Sequence, residues 1–308
     1  MKALLFPGQG SQVVGMGYEF YNNFDIVKKI FLEADEKLKY KISNIILEGP
    51  NDDLKLTQNT QPAILIVSFS IFSVLKKEFD LNPNDFKYFA GHSLGEYSAL
   101  VCAESLKFSD ALYLLHERGK AMQEAVPNGE GGMLAVLNLK TDEVKNYISK
   151  IKSKEVCEVA NDNADSQVII SGNIEPIKEL QLILKNEKKK SILLPVSAPF
   201  HCSLMRPAAE KMKEKINATK FEDSTIEVIA NVNATAEKEG KKFQSLLIEQ
   251  IYSKVRWRES ILNMSKQGIN EFIEIGPGKV LSGLIKRIIK ECKTNSINSI
   301  DDIKNTFK

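Results

Sequence analysis

Residues 91–95 read GHSLG, the G-x-S-x-G pattern that presents a nucleophilic serine at a sharp turn between a strand and a helix. The apolar residues before this segment predict a strand, and residues 94–102 predict a helix. At such a turn Ser93 faces a substrate, and the backbone N–H of Leu94 points toward an oxyanion. The alternative, a serine that only caps the helix, explains neither Gly91 nor Gly95. The sequence therefore favours Ser93 as a nucleophile.

A serine nucleophile needs a base, and the chain has three histidines. His92 precedes Ser93 on the turn, so we expect its ring to point away from the attack direction, and His116 lies within a predicted helix. His201 lies in a loop that leads into a helix, where a base can reach a cleft. Cys202 beside it suggests a Cys–His pair instead, but neighbouring side chains rarely point together and no G-x-S-x-G-like turn surrounds Cys202. His201 is the candidate base.

The glycine-rich segment 6–12, FPGQGSQ, follows a predicted first strand. A loop that binds a dinucleotide needs a third glycine where Val13 stands, so we expect no nucleotide cofactor. An oxyanion hole opposite a serine nucleophile takes its second N–H from another loop at a strand end. The sequence therefore predicts that the backbone of Gln9 joins that of Leu94 in an oxyanion hole.

Arg118 occupies a predicted helix, residues 109–124, and two roles are open to it. On a solvent-facing side it would form a surface ion pair. If it faces the cleft instead, its planar guanidinium can bind a carboxylate through two parallel hydrogen bonds. In that case the acyl group carried by Ser93 bears a free carboxylate.

Alternating strand-like and helix-like segments predict an α/β protein with a largely parallel sheet. The strands predicted for this sheet are residues 2–6, 87–91, 227–231 and 271–275. The order β-α-β-β-α-β between residues 127 and 195 is that of a ferredoxin-like unit. We therefore expect a core built from residues 1–126 and 196–308, with a small inserted subdomain at 127–195 and a cleft between the two.

Composition narrows the possible functions. Of the 308 residues 43% are hydrophobic and 27% charged, and a net charge of +2 gives no general case for nucleic acid or membrane binding. The four cysteines lack C-x-x-C spacing and no signal peptide is apparent, which predicts a cytoplasmic protein.

The apolar stretch 63–75 is short for a bilayer span and predicts a buried helix. Residues 161–165, NDNAD, lack the glycine and distal glutamate of a calcium loop, so we expect a tight turn and no metal.

Several blocks of the chain resemble the malonyl-CoA:acyl carrier protein transacylases; they read FPGQGSQ, TQPAIL, GHSLGEYSALVCA, RGKAMQEAVP, QVIISG, FHCSLM and EIGPGKVLSGLIKRI. The resemblance implies an α/β-hydrolase-like core with a ferredoxin-like small subdomain. It also implies ping-pong transfer of malonyl from malonyl-CoA, through a malonyl-serine, to the phosphopantetheine thiol of acyl carrier protein. Neither a cofactor nor a metal is implied, and family members are commonly monomers.

The same resemblance assigns roles to residues of this chain. It implies Ser93 as nucleophile, His201 as base and Arg118 as the ligand of the malonyl carboxylate, with the N–H groups of Gln9 and Leu94 as the oxyanion hole. A backbone carbonyl at Gln250 would orient His201, since a catalytic histidine needs only an acceptor to fix its tautomer.

Further positions are implied to bind the substrate or the carrier. Gln61 and Asn161 match cleft-lining positions, and Phe200 matches the bulky residue that crowds a 2-methyl group in malonyl-specific members. Acidic carrier proteins favour a basic docking surface, for which Lys286 and Arg287 or residues 188–190 are candidates. Two other enzymes remain possible, a serine hydrolase and a discrete acyltransferase of a polyketide pathway.

Overall fold

The computed structural model describes residues 1–196 and 198–307, and in them the chain forms two β-sheets flanked by helices. The ten strands of this part of the chain are β1 (Lys2–Phe6), β2 (Phe86–Gly91), β3 (Gly131–Leu137), β4 (Cys157–Ala164), β5 (Gln167–Asn173), β6 (Ser191–Leu193), β7 (Glu227–Ile229), β8 (Ala236–Glu237), β9 (Glu271–Ile275) and β10 (Lys293–Ile297).

The helices cover both faces of the larger sheet and one face of the smaller. They are α1 (Tyr18–Asn23), α2 (Asp25–Leu38), α3 (Ile42–Leu47), α4 (Asn51–Lys55), α5 (Thr57–Glu78), α6 (Gly95–Cys102), α7 (Phe108–Glu124), α8 (Thr141–Ile148), α9 (Ile174–Asn186), α10 (Arg206–Ala218), α11 (Gly240–Tyr252), α12 (Trp257–Lys266), α13 (Val280–Ile288) and α14 (Ile300–Thr306).

The larger sheet has the strand order β10-β9-β1-β2-β7-β8, and all neighbours are parallel except β7 and β8. A parallel sheet covered on both faces gives strands that are apolar throughout. In β1, Leu4 and Phe6 belong to the hydrophobic cluster shared with α2, α5 and α7, whereas Ala3 and Leu5 belong to the cluster shared with α12 and α13. The predicted fold class of the core, α/β with a largely parallel sheet, is confirmed.

Helix α5 crosses the core and is longer than the apolar stretch 63–75 from which it was predicted. Its first turns carry polar residues, and they are buried because they bond locally: Asn59 Nδ2, for example, donates to the carbonyl of Asp53 at 2.8 Å. By length and composition alone this helix is able to span a membrane, but 83% of its apolar window is buried inside the protein. The burial identifies α5 as a core helix.

The smaller sheet is antiparallel with the order β4-β5-β3-β6, and α8 and α9 complete the ferredoxin-like β-α-β-β-α-β arrangement. Alternation along β3 buries Leu134 and Val136 under these helices and turns Met133 toward the core. The prediction of a tight turn over residues 161–165 is wrong in its bounds. Residues 161–164 end strand β4, because they pair with β5 and with the core, and the turn is confined to residues 165 and 166.

Strand β4 also attaches the small subdomain to the core. Asp162 accepts two parallel hydrogen bonds from the Arg258 guanidinium of α12, each 2.9 Å long. The backbone of Val255 exchanges hydrogen bonds with Ala160 and Asp162 at 2.9 and 3.0 Å. Glu158 accepts from the backbone N–H and hydroxyl of Ser203. These contacts fix the small sheet beside the ends of the core strands.

The turn between β2 and α6 is crowded by the neighbouring loop after β1. A Cβ atom on Gly95 would lie 2.8 Å from the carbonyl oxygen of Pro7 and closer still to that of Phe6, and one on Gly91 would overlap the backbone of Gly95. Ser93 has a φ of 54°, and α6 begins only at Gly95, with Leu94 at the N-cap. The alternative that Ser93 merely caps the helix is therefore wrong.

The crowding predicts that Gly95→Ala destabilises the fold by about 1–3 kcal/mol, because backbone atoms must move to admit the methyl group. Gly283→Ala in helix α13 is the control, since a Cβ at that position meets no atom within 4 Å. We expect the control to be neutral or to stabilise by about 0.5–1 kcal/mol. Urea unfolding of both variants measures the difference, and equal midpoints would contradict the role given to Gly95.

Candidate active site

Ser93 and His201 meet at the carboxyl ends of the core strands, although they are far apart in the chain. The distance between Ser93 Oγ and His201 Nε2 is 2.7 Å. Both residues are largely buried and both have positive φ values, 54° and 59°. Backbone strain of this kind is held in place only by surrounding structure and is common at functional sites. The pair has the geometry of a nucleophile and its base.

The tautomer of His201 follows from its second hydrogen bond. Nδ1 lies 2.8 Å from the backbone carbonyl of Gln250, and since a carbonyl can only accept, Nδ1 carries the hydrogen. Nε2 therefore presents its lone pair to the hydroxyl of Ser93. Burial and the nearby charge of Arg118 lower the pKa of His201 to about 3. The imidazole is thus neutral at physiological pH and able to accept a proton.

The other two histidines have different partners. His92 Nε2 lies 2.8 Å from Asn163 Oδ1, so its ring borders the cavity without approaching the hydroxyl of Ser93. His116 Nδ1 lies 3.1 Å from the carbonyl of Gln58. Cys202 donates to the carbonyl of Pro199, and burial raises the pKa of its thiol to about 11. The geometry gives no support to a Cys–His pair.

Arg118 lies inside the site, 1% exposed, so the alternative of a surface ion pair is wrong. Its Nη2 donates to Ser93 Oγ at 3.2 Å and to Gln250 Oε1 at 2.8 Å, and Nη1 donates to Gln61 Oε1 at 2.8 Å. These acceptors are all neutral, and in the described parts of the chain no carboxylate forms an ion pair with Arg118. Because a buried charge without a directly bonded counterion is costly, this guanidinium is suited to an anion that arrives with the substrate.

A cavity of about 280 Å³ lies between the core and the small subdomain. Gln9, Gln61, Asn161 and Phe200 all line it together with Ser93, Arg118 and His201. The small sheet contributes apolar wall residues, among them Met133. A cavity with few convergent polar groups and apolar walls is typical of a small-molecule site.

The backbone N–H groups of Gln9 and Leu94 have no acceptor among residues 1–196 and 198–307. The loop that carries Gln9 is tied to the serine turn, because the N–H of His92 donates to the carbonyl of Phe6 at 3.1 Å. Unpaired N–H groups beside a serine are available to a developing oxyanion.

Lys286 and Arg287 lie apart from these residues. Both are exposed in the last turn of α13, whereas the cavity is lined by Val280, Leu281 and Leu284 from earlier in that helix. Over the described residues no group of three or more His, Cys, Asp or Glu side chains is placed to hold a metal ion.

Sequence reasoning missed two buried polar residues beneath Ser93, Glu96 and Asn231. Asn231 Oδ1 accepts from the N–H of Ser93 at 2.7 Å, and its Nδ2 donates to the carbonyl of Gly91 at 2.7 Å. It therefore braces both sides of the strained turn. The sequence did contain a signal for Glu96: it is a glutamate within the otherwise largely apolar sequence of helix α6, where an unpaired charge is costly.

Comparison with known proteins agrees with this geometry. The acyl transferase domain family matches residues 3–305. A malonyl CoA-acyl carrier protein transacylase of Bacillus subtilis is 44% identical over 303 residues, covering 98% of this chain and 94% of the relative. Among solved structures, an acyl-carrier-protein S-malonyltransferase of Bartonella henselae superposes with a TM-score of 0.96 at 40% identity, covering 99% of this chain and 97% of the other.

A second solved structure includes a carrier protein. It is a malonyl-transacylase in complex with a type II polyketide synthase acyl-carrier protein, with a TM-score of 0.95, 35% identity, and coverage of 99% of this chain and 98% of the other. Similarity of this extent includes both the core and the small subdomain. The chain belongs to the acyl transferase family and, within it, to the malonyl CoA-acyl carrier protein transacylases.

Proposed function

We propose that this protein transfers the malonyl group of malonyl-CoA to the phosphopantetheine thiol of an acyl carrier protein through a malonyl-Ser93 intermediate. The observation that carries the proposal is the buried Arg118, which forms no ion pair with any carboxylate in the part of the chain that the structure describes and lies 3.2 Å from the hydroxyl of Ser93. An acyl group bound to Ser93 and ending in a carboxylate satisfies that charge. The names of the relatives support the same substrate.

In the first half-reaction His201 Nε2 takes the proton of the Ser93 hydroxyl as Oγ attacks the thioester carbonyl of malonyl-CoA. The N–H groups of Gln9 and Leu94 stabilise the oxyanion of the tetrahedral intermediate. When the intermediate collapses, the C–S bond breaks and the departing thiolate of CoA takes the proton from His201. Malonyl-Ser93 remains, and His201 is neutral again.

Arg118 selects the acyl group in this mechanism. The malonyl carboxylate replaces Ser93 Oγ as an acceptor for the guanidinium, and Gln61 and Gln250 hold the guanidinium plane in place. Phe200 borders the same cavity next to His201 and crowds a methyl group on C2 of the acyl chain. Asn161 lines the cavity from strand β4 of the small subdomain.

The second half-reaction reverses the first with a different thiol. His201 takes the proton of the phosphopantetheine thiol, the sulfur attacks malonyl-Ser93, and Ser93 leaves with the proton returned by His201. Lys286 and Arg287 of α13 are exposed near helix residues that line the cavity and suit an acidic carrier; residues 188–190 are the other basic candidate. The carrier that we propose serves fatty acid synthesis. A carrier of a polyketide pathway is the second candidate, because one solved relative is in complex with such a carrier.

The proposed chemistry uses only side chains and backbone groups of this chain, with no resident cofactor or metal. The four cysteines are free, which supports a reducing compartment, and we place the enzyme in the cytoplasm as a monomer.

Intact-protein mass spectrometry tests the intermediate directly. After brief exposure to malonyl-CoA we expect one malonyl adduct on the wild-type protein and none on Ser93→Ala, because Ser93 forms the ester. Addition of pantetheinylated carrier protein should remove the adduct and malonylate the carrier. An adduct that is lost to water at the same rate with and without the carrier identifies a hydrolase instead, and fatty acid and polyketide carriers can be compared in the same assay.

The role of Arg118 predicts a change in acyl selectivity. Arg118→Gln should lower the rate of malonyl loading by at least about 100-fold, since it removes a buried charge-assisted hydrogen-bond donor, while acetyl loading changes far less. Lys120→Ala is the matched control, because Lys120 is an exposed cation on the same helix. If Arg118→Gln keeps the wild-type ratio of malonyl to acetyl loading, the carboxylate does not bind at Arg118.

The neutral state of His201 predicts a pH dependence of stability. The imidazole pKa is about 6.5 in the unfolded chain and is lowered to about 3 in the folded protein. Between these values the unfolded state binds the extra proton, so the contribution of neutral His201 is complete above about pH 6.5 and is lost as the pH falls toward 3. Around pH 5, His201→Gln should reduce the slope of unfolding free energy against pH by about 1.4 kcal/mol per unit. Denaturant titrations measure this slope, and parallel curves would show that His201 is protonated when folded.

A further inference from the structure

A carboxyl group lies buried directly under the serine turn and takes no part in the mechanism above. Glu96 is in the first turn of α6, is 0% exposed, and does not line the cavity. Its Oε2 accepts from Gln250 Nε2 at 2.7 Å and from the backbone N–H of Asn231 at 3.1 Å. Its Oε1 has no hydrogen-bond partner among residues 1–196 and 198–307. A buried, half-satisfied carboxyl is costly, so its contacts need an explanation.

The first contact fixes the orientation of the Gln250 amide. Arg118 has only donors and an ionised carboxylate has only acceptors, so a single orientation of the amide serves both: Nε2 toward Glu96 and Oε1 toward the guanidinium. The carbonyl of Ser93 accepts from the same Nε2 at 3.0 Å, so Glu96 is one of two acceptors that oppose a half-turn of the amide, which would present an NH₂ group to Arg118. The Gln250 acceptor for the guanidinium is therefore held in part by Glu96.

Gln250 touches each of the three reacting or substrate-binding groups. Its carbonyl accepts from His201 Nδ1, its Oε1 accepts from Arg118, and its Nε2 also donates to the carbonyl of Ser93 at 3.0 Å. A shift of this residue therefore moves the base and the carboxylate ligand together. Displacements of about 1 Å at such groups cost about 100-fold in rate.

The second contact supports the strained turn. Glu96 accepts from the backbone N–H of Asn231 and so holds that residue in place. The side chain of Asn231 in turn bonds to the N–H of Ser93 and to the carbonyl of Gly91. Burial raises the pKa of Glu96 to about 7, against the opposing effects of its two hydrogen bonds and of Arg118. A proton on the unpartnered Oε1 leaves Oε2 free to accept, so both contacts persist in either protonation state.

We infer that Glu96 is a positioning residue for acyl transfer: by holding Gln250 and Asn231 from beneath, it keeps His201, Arg118 and Ser93 in one productive arrangement. The inference rests on the proposed function, because its effect is measured on malonyl loading. It adds a buried carboxyl to the site without adding a group that touches substrate.

Two substitutions at Glu96 separate positioning from a general structural role. Glu96→Gln keeps an acceptor oxygen for Gln250 and Asn231, so malonyl loading should stay within about tenfold of wild type. Glu96→Ala removes it, and loading should fall by about 100-fold with a raised KM for malonyl-CoA, because Arg118 and His201 are both displaced. The control is Asp35→Ala, which removes another buried carboxyl, one that bonds Ser43 and does not line the cavity. It should lower the melting temperature without changing kcat or KM.

A double-mutant cycle with Gln250→Ala completes the test. If Glu96 acts largely through Gln250, adding Glu96→Ala to Gln250→Ala should cost much less than it costs in the wild-type background. Full multiplication of the two effects, equal loss in Glu96→Gln and Glu96→Ala, or wild-type loading in Glu96→Ala would each overturn the inference. Failure of the wild-type protein to form malonyl-Ser93 overturns the proposed function instead, so the two failures are distinguishable.

Discussion

The site depends on one electrostatic constraint, a buried guanidinium that bonds the nucleophile and forms no ion pair with a carboxylate of residues 1–196 and 198–307. The guanidinium of Arg118 donates to the amide oxygens of Gln61 and Gln250 and to the hydroxyl of Ser93, and the buried carboxyl of Glu96 acts on its charge from a greater distance. The same charge helps to keep His201 neutral, because a second cation nearby is unfavourable. In the proposed mechanism the charge of Arg118 therefore acts on the acyl group and, together with burial, on the protonation state of the base.

The fold satisfies this constraint by converging long-range contacts on the ends of parallel strands. The β1 loop and the serine turn pack closely because Gly95 leaves room for the carbonyls of Phe6 and Pro7. The small subdomain closes the other side of the cavity and is fixed there by Asp162 and Arg258. The guanidinium is only 1% exposed in this enclosure, and burial strengthens its electrostatic contacts.

Much of the secondary structure was predictable from local patterns, and the errors have local causes. Strands β1 and β9 were predicted at their observed bounds, because four apolar residues follow Lys2 in β1 and β9 carries the large apolar residues Phe272, Ile273 and Ile275. Strand β10 was missed, since KTNSI at the sheet edge carries polar side chains and little hydrophobic signal. Helix α5 was predicted too short, because its polar first turns are buried by hydrogen bonds that no periodicity reveals.

The sequence by itself determined the nucleophile motif, the glycine-rich loop and the α/β class, because each depends on residues that are neighbours in the chain. Only the tertiary structure decided which groups surround Ser93. Arg118 and Gln250 are 132 residues apart in the chain, and Glu96 and Gln250 are 154 apart, yet each pair shares a hydrogen bond. Spacing and periodicity act over a few turns or strand residues, whereas a buried hydrogen bond requires a specific distance and angle that the packed core alone sets.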